Sequence, residues 1–224
     1  MSIFRVFPFA FLLLFGLALQ PVFAQDINLQ PKYGLLPKNS AQQAADAKFI
    51  ADIDNQLQGD RKKGAEYIAG RGWQFLRQGK PEDAMRRFNQ AWLLDHTNGN
   101  ALWGMAVLQA NSGKFDESLK LLAEAKDFIG DNIDFAVDHA KILGMASVEA
   151  KNEKLLQEAL ARFAHLHKKA PQHTLNLQNW AMTLYYVGNY ARAWEIIKLA
   201  EATPRHADLD PEFLAHLQSK MPRP

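Results

Sequence analysis

The sequence predicts an all-α protein: an α-solenoid of antiparallel helix pairs, with an extra N-terminal helix before the repeats and a C-terminal capping helix after them. Three observations lead to this prediction. Small residues recur 34 positions apart at Gly72, Ala106 and Ala140. Glycines suited to short turns recur at the same interval, at Gly79 and Gly113. Larger apolar residues keep this interval as well, and a period of this length is typical of stacked helix pairs.

The composition narrows the function before any element is assigned. The 224 residues include 26 basic and 24 acidic side chains, and a net charge of +2 gives no field strong enough to hold nucleic acid or an anionic membrane. The lack of cysteine in the sequence excludes disulfides, cysteine-ligated zinc and thiol nucleophiles. We therefore expect no nucleic-acid partner, no metal and no other cofactor.

Residues 1–24 have the three-part composition of a secretory signal peptide. Arg5 precedes an uncharged run over residues 6–19, and Pro21 and the small residue Ala24 follow it. An uncleaved membrane anchor is the alternative, but the run is shorter than the roughly 20 residues that cross a hydrocarbon core. We expect cleavage after Ala24, no stable membrane span afterwards, and a bacterial periplasmic or secreted location, because a cysteine-free chain fits that route.

Two segments precede the repeats. Residues 25–40 contain two prolines and a glycine and lack helical periodicity, which predicts an extended arm or linker, either packed on the body or loose. Over residues 41–59, apolar side chains recur every four positions from Ala45 to Leu57, and a glycine ends the pattern. This spacing predicts an N-terminal helix with one apolar stripe.

The repeats extend over residues 65–205. A unit of this length accommodates two helices of about three turns each and two short turns. The first helix needs a small residue where the second helix crosses it, which Gly72 and Ala106 provide, and Phe88 and Leu122 fill the adjoining space. Gly99 is expected in the turn between the first two units. The four units are residues 65–98, 99–132, an atypical 133–173, and 174–205.

The third unit departs from the pattern because Ala181 is 41 residues beyond Ala140, seven more than the repeat length. No glycine stands at the expected turn. We predict two lengthened helices, over residues 133–148 and 153–169. The crossing position is either Ala140 or Gly144, and the spacing does not decide between them.

Residues 206–224 are predicted to form a capping helix and a tail. Asp210 and Pro211 are a helix-start signal, and Phe213 and Leu217 share one face of the helix that follows. A solenoid needs such an end helix to cover its last exposed apolar surface.

The unit at residues 65–98 resembles the tetratricopeptide repeat (TPR) family. The positions that carry the resemblance are Gly72, Phe75, Gly79, Ala84, Phe88, Ala91 and Asp95. His96 stands where the family usually has proline, and Arg71 stands where it usually has leucine. Three of the four units keep the internal spacing, and together with the leader segment the chain resembles an exported bacterial TPR-containing protein.

The resemblance implies a concave groove lined by particular positions of each first helix. Mapped onto this sequence, these partner-binding positions are Trp73, Leu76, Arg77, Trp103, Val107, Asn111, Met182, Tyr185 and Tyr186. Their aromatic content exceeds what a purely structural face requires. The alternative is that some of them pack against the N-terminal helix or arm folded into the groove, and this alternative stays open at the level of sequence.

No catalytic or metal-binding arrangement is evident in the sequence. His165 and His167 are two residues apart on a predicted helix, so they point to opposite sides and cannot share one ion. His139 is interpreted as a hydrogen-bonded core histidine, and the serines of the repeats lie at turns or at small-residue positions. We therefore expect no enzyme activity.

These observations predict an exported TPR-like scaffold or adaptor that binds a protein or peptide partner in its concave groove. One alternative is a structural subunit of a cell-envelope assembly that uses its convex surface. A further alternative is an enzyme whose catalytic groups are scattered over the groove. No oligomeric state is predicted.

Overall fold

The computed structural model describes residues 26–224. This part of the chain contains ten α-helices and no β-strand, and the predicted all-α solenoid is confirmed. The signal peptide predicted over residues 1–24 lies outside the described residues. The helices are α1 (Ser40–Leu57), α2 (Arg61–Arg77), α3 (Pro81–Leu94), α4 (Gly99–Asn111), α5 (Phe115–Ile129), α6 (Ile133–Glu149), α7 (Glu153–Lys169), α8 (Thr174–Tyr186), α9 (Tyr190–Glu201) and α10 (Pro211–Lys220).

Four consecutive helix pairs form the body: α2 with α3, α4 with α5, α6 with α7, and α8 with α9. The first helices of successive pairs contact one another, whereas their second helices are not in comparable contact anywhere in the described chain. The layer of first helices is therefore the tighter one, and the stack curves around it. We call the exposed side of α2, α4, α6 and α8 the groove, and the exposed side of α3, α5, α7 and α9 the outer face.

The turn inside each helix pair needs one residue with a positive φ, which glycine adopts without steric cost. The third pair has Lys151 at this place, with φ 48°, so its turn forms without glycine. Its backbone bond is the one the other turns make, because the N–H of Asn152 donates to the carbonyl of Ser147 at 2.9 Å. The glycines of the other pairs are Gly79 (φ 69°), Gly113 (φ 74°) and Gly188 (φ 80°).

Most of the seven extra residues of the third unit lie in its two helices. Compared with the second unit, α6 has 17 residues where α4 has 13, and α7 has 17 where α5 has 15. The loop after α7 contains the remaining one. At its start, α6 is capped by Asn132, in register with Ala140 as the crossing residue. At its end, the turn at Lys151 is in register with Gly144. Ala140 is therefore the crossing residue when positions are counted from the start of α6, and Gly144 is the crossing residue when they are counted from its end. Both fit because α6 is one turn longer than α4.

The crossing of the first two units is centred on Phe88, which is 0% exposed. A Cβ at Gly72 would lie 2.5 Å from the ring, and one at Gly104 would overlap it, so the ring is held between two glycines on different helices. Gly70 stands one repeat length before Gly104, but a Cβ at Gly70 would meet open space, so the spacing alone did not mark Gly104 as a packed position. The predicted turn position of Gly99 is wrong: Gly99 is the buried first residue of α4, and a Cβ there would lie 2.5 Å from Ile129.

The arm predicted over residues 25–40 is not extended in the part that the structure describes. It forms two 3₁₀ turns, Ile27–Leu29 and Pro31–Leu35. The Asp26 carboxylate accepts from the N–H of Asn28 and caps the first turn, and Tyr33 in the second turn has φ 56°. We use the name arm for residues 26–36.

The arm lies on the outer face and not over the groove. The buried Asn89 of α3 accepts the N–H of Tyr33 at 3.3 Å and donates to the carbonyls of Asn28 and Gln30, both at 2.8 Å. Lys32 also pairs with Glu124 of α5 at 2.7 Å. One buried amide thus replaces the hydrogen bonds that the irregular backbone would otherwise make to water.

Both ends of the solenoid are covered by a helix. Helix α1 packs on the first turn of α2, where a Cβ at Gly64 would lie 2.8 Å from Ile53. Helix α10 begins after Asp210, which caps its first turn, and buries Phe213 and Leu217 beside α9. The apolar faces of the outermost pairs are therefore shielded from water at each end.

Candidate partner-binding groove

An aromatic row crosses the first three helices of the groove. Trp73 of α2 meets Trp103 of α4 edge-on, with ring centroids 4.6 Å apart, and Trp103 meets Phe135 of α6 at 5.7 Å. Both tryptophans are half-buried, and Phe135 is buried. The two indoles therefore hold neighbouring helices together with part of their surface and leave the rest accessible.

The row leads to a carboxylate. The Trp103 indole N–H donates to Asp138 Oδ2 of α6 at 3.0 Å. Burial raises the pKa of Asp138 above its usual value, and the positive charge of Lys141 and the indole hydrogen bond oppose this shift. No cationic group of residues 26–224 lies within ion-pair distance of Asp138, so its charge is only partly compensated.

An apolar cavity of about 360 Å³ opens between α6 and α8. Met145 and Val148 line it from α6, and Met182 and Tyr186 line it from α8; Lys141 and Glu149 also contribute to its wall. The two helices approach closely there because α6 has a glycine, Gly144, whose Cβ would lie 2.7 Å from Thr183. Met145 and Tyr186 remain 36% and 61% exposed, so the cavity presents apolar surface to solvent.

The structure brings only some of the nine predicted groove residues together. Trp73 and Trp103 form the aromatic row, and Met182 and Tyr186 line the cavity. Tyr185 instead packs toward α10, with its ring 5.8 Å from that of Phe213. No ring contact or cavity lining joins the remaining four to these clusters in the described chain: Leu76 and Asn111 line an edge cavity next to the arm, Arg77 is exposed, and Val107 is half-buried.

Helix α6 contributes side chains that the repeat pattern did not identify. Asp138, Lys141, Met145 and Glu149 all belong to the aromatic row or the cavity, and none was predicted to do so. They were missed because the crossing register of the third unit was undecided. With Gly144 as the crossing residue, Met145 follows it as Trp73 follows Gly72. This register would therefore have predicted Met145 as a groove residue.

Two histidines of this region have defined neighbours: His173 pairs with Asp134 at 3.0 Å, and His139 lies 3.4 Å from Arg162. Burial and the charge of Arg162 lower the pKa of His139 to about 4, so its imidazole is neutral near pH 7. Within residues 26–224, no group of three or more His, Asp or Glu side chains is placed to hold a metal ion. In the same range, no helix has the length and apolar character needed to cross a membrane.

Comparisons with known proteins agree with this architecture. Residues 75–136 match a family model described as Tetratricopeptide repeat. The structure of TTC0263, a thermophilic TPR protein in Thermus thermophilus, superposes with a TM-score of 0.60 at 17% identity, covering 71% of this chain and 84% of that one. The family match and this likeness support the TPR assignment and show that the fold is TPR-like.

Two further solved structures are more distant. A double mutant of MamA RS-1 has a TM-score of 0.48 at 17% identity and covers 72% of this chain and 85% of its own. YrrB, a TPR protein with an unusual peptide-binding site, has a TM-score of 0.36 at 17% identity and covers 76% of this chain and 97% of its own. No curated protein sequence matches the chain.

Proposed function

We propose that this chain is an exported TPR-like scaffold or adaptor that binds a protein or peptide segment in its groove and catalyses no reaction. The observation that carries the proposal is the open apolar cavity between α6 and α8. A TPR-like fold is consistent with protein–protein interaction, and the cavity supplies a specific place for it. Assays with a panel of hydrolase substrates test the enzymatic alternative.

The side chains around the cavity are suited to anchoring a partner. Tyr186 and Met145 are large, apolar and partly exposed, and Met182 also lines the wall. Aromatic residues bury a large area and lose few rotamers on binding, and methionine adapts its shape to the partner. A few such residues commonly account for most of the affinity of an interface.

The export part of the proposal has a direct test. Residues 1–24 have the composition of a signal peptide, so the chain expressed with its leader in a bacterial host is expected to yield a mature protein that begins at Gln25. Intact-mass measurement and N-terminal sequencing of the periplasmic fraction check this. Recovery of chain that retains Met1 in the membrane fraction would instead show that the leader remains as an anchor.

Site-specific photo-crosslinking tests the groove. A benzophenone amino acid at Tyr186 is expected to crosslink a protein partner in cells, because this side chain stands in the cavity mouth. The matched control is Leu199 of α9, which is 44% exposed on the outer face. Mass spectrometry then identifies the partner and the segment that is attached. Crosslinks at Leu199 but none at Tyr186 would contradict the proposal.

The captured partner allows a quantitative measurement. Tyr186→Ala is expected to weaken its binding by a factor of about 5 to 30, whereas Leu199→Ala changes it less than about twofold. Tyr186 is a better probe than Trp103 because Trp103 packs on two rings and donates to Asp138, so its removal also disturbs the fold. Equal affinity of the Tyr186 variant and the unchanged protein would remove the cavity from the interface.

The second candidate is a structural subunit that uses the convex side. The arm leaves cavities of about 550 and 570 Å³ on the outer face and at the adjoining edge, so this side also has open surface. The crosslinking experiment separates the two candidates, because a structural subunit would attach its neighbours through outer-face positions such as Leu199 and would tolerate Tyr186→Ala.

A further inference from the structure

The groove contains a carboxylate whose charge is not paired. Asp138 accepts one hydrogen bond, from the Trp103 indole at 3.0 Å, and the ion pairs of the described chain do not include it. Its neighbours are Asp134, Lys141 and His173, and Asp134 is itself paired with His173 at 3.0 Å. Asp138 is half-buried, so its carboxylate has lost part of its hydration, while the described chain supplies one hydrogen bond and no ion pair.

The nearest cation does not fill this role. Lys141 is three residues further along α6, and its ammonium group is more than 4 Å from the carboxylate. It is exposed and also contributes to the wall of the cavity between α6 and α8. One carboxylate oxygen of Asp138 is held by the indole, and the other accepts no hydrogen bond within residues 26–224. This second oxygen is therefore available to a hydrogen-bond donor in the groove, preferably a charged one.

The aromatic surroundings of Asp138 favour a charged donor on a long apolar side chain. The half-buried Trp103 ring holds the carboxylate and Trp73 packs on that ring, so a cation that reaches Asp138 beside them meets aromatic surface. Lysine and arginine are suited to this because their methylene stems lie on apolar surface while the charged end reaches a polar group. A small hydrated cation would gain nothing from the rings.

We propose that the groove recognises a segment with a lysine or arginine that pairs with Asp138 and with an apolar side chain, about three residues away, that enters the cavity between α6 and α8. This inference rests on the proposed function and names the chemistry of the partner. Asp138 and Met145 are seven residues apart on α6, which is about 10 Å along the helix axis. An extended segment covers this distance in about three residues.

The test uses short synthetic peptides and the Trp103 indole signal in two-dimensional NMR of the intact mature protein. The peptides have a glycine–serine background with leucine three positions before and three positions after a variable residue, which is lysine, norleucine or glutamate. The lysine peptide is expected to shift the Trp103 signal saturably and to bind about tenfold more tightly than the norleucine peptide. Trp103→Phe assigns the signal.

Two matched variants locate the cation. Asp138→Asn keeps the shape and can still accept from the indole, so it is expected to abolish the preference for lysine while binding the norleucine peptide unchanged. Asp134→Asn, one turn earlier on the same helix, is expected to keep the preference. Loss of the preference in Asp134→Asn but not in Asp138→Asn would overturn the assignment to Asp138.

Three further outcomes would also overturn the inference. Equal binding of the lysine and norleucine peptides, or tighter binding of the glutamate peptide, would overturn the inference and leave groove binding in place. Absence of any shift with all three peptides would overturn it as well. The proposed function would then still be judged by crosslinking at Tyr186, which requires no cation in the partner.

Discussion

Replacing Gly104 with alanine is expected to destabilise the protein by about 3 kcal/mol, at the upper end of the range for overpacked cores. A Cβ at this position would overlap three ring atoms of Phe88. The ring cannot move away, because its other side meets Gly72 and its edge meets Trp73, with centroids 5.5 Å apart. Urea unfolding monitored by circular dichroism measures the loss.

Gly70 is the matched control for this substitution. It lies inside α2 near Gly72, but no atom is within 4 Å of a Cβ placed there. Gly70→Ala is therefore expected to stabilise the protein by about 0.5 to 1 kcal/mol, since alanine has the higher helix propensity. Similar shifts in Gly104→Ala and Gly70→Ala would contradict the close crossing at Phe88.

A double mutant separates steric overlap from other effects. Phe88→Leu alone removes ring volume and should be destabilising, but in the Gly104→Ala background the smaller side chain makes room for the new methyl group. We expect the two changes to cost less together than the sum of their separate costs, by about 1 kcal/mol or more. Strict additivity would mean that the alanine methyl group is accommodated elsewhere.

The architecture could be predicted from the sequence because each repeat contains the residues that form its own turn and its own helix crossing. The glycine turns at Gly79 and Gly113 have positive φ, and the crossing glycine Gly72 faces Phe88. Each of these constraints involves residues of a single helix pair. Such local constraints are visible as spacing, and their recurrence fixes the stacking of the pairs.

Two close contacts of α4 were harder to predict. Gly104 faces Phe88 of α3 across the boundary between the first two units, whereas Gly99 faces Ile129 of its own helix pair, and no recurring contact marked either position. The third unit was ambiguous for another reason: one added helical turn keeps both Ala140 and Gly144 on the packed face, so each register accounts for part of α6. Because neither register was chosen, no groove residue of α6 was predicted.

The position of the arm could not be predicted from the sequence either. Its prolines and glycine correctly exclude a regular helix, but its position depends on Asn89, a polar residue within α3 that the repeat pattern does not single out. Buried polar side chains that bond irregular backbone have no periodic signature, because their partners are distant in sequence. The contact therefore appears only when the chain is folded.

Replacing Asn89 with leucine is expected to detach the arm while the solenoid stays folded. Leucine has a similar volume but supplies neither the acceptor for Tyr33 nor the donor for Asn28 and Gln30. Left buried, these backbone groups would cost about 1 to 3 kcal/mol each, so the arm gains by moving into water. The cost to overall stability is then limited to the docking free energy of the arm, about 2 kcal/mol.

Limited proteolysis measures this release. Trypsin is expected to cut after Lys32 at least tenfold faster in the Asn89→Leu variant than in the unchanged protein, because the peptide bond must leave the outer face to enter the protease. Gln90→Leu is the control: Gln90 is adjacent on α3, half-buried, and contacts Arg87 rather than the arm. Unchanged cleavage in Asn89→Leu would mean that Tyr33 burial and the Lys32–Glu124 pair hold the arm without the amide. Faster cleavage in both variants would indicate a general loosening of α3.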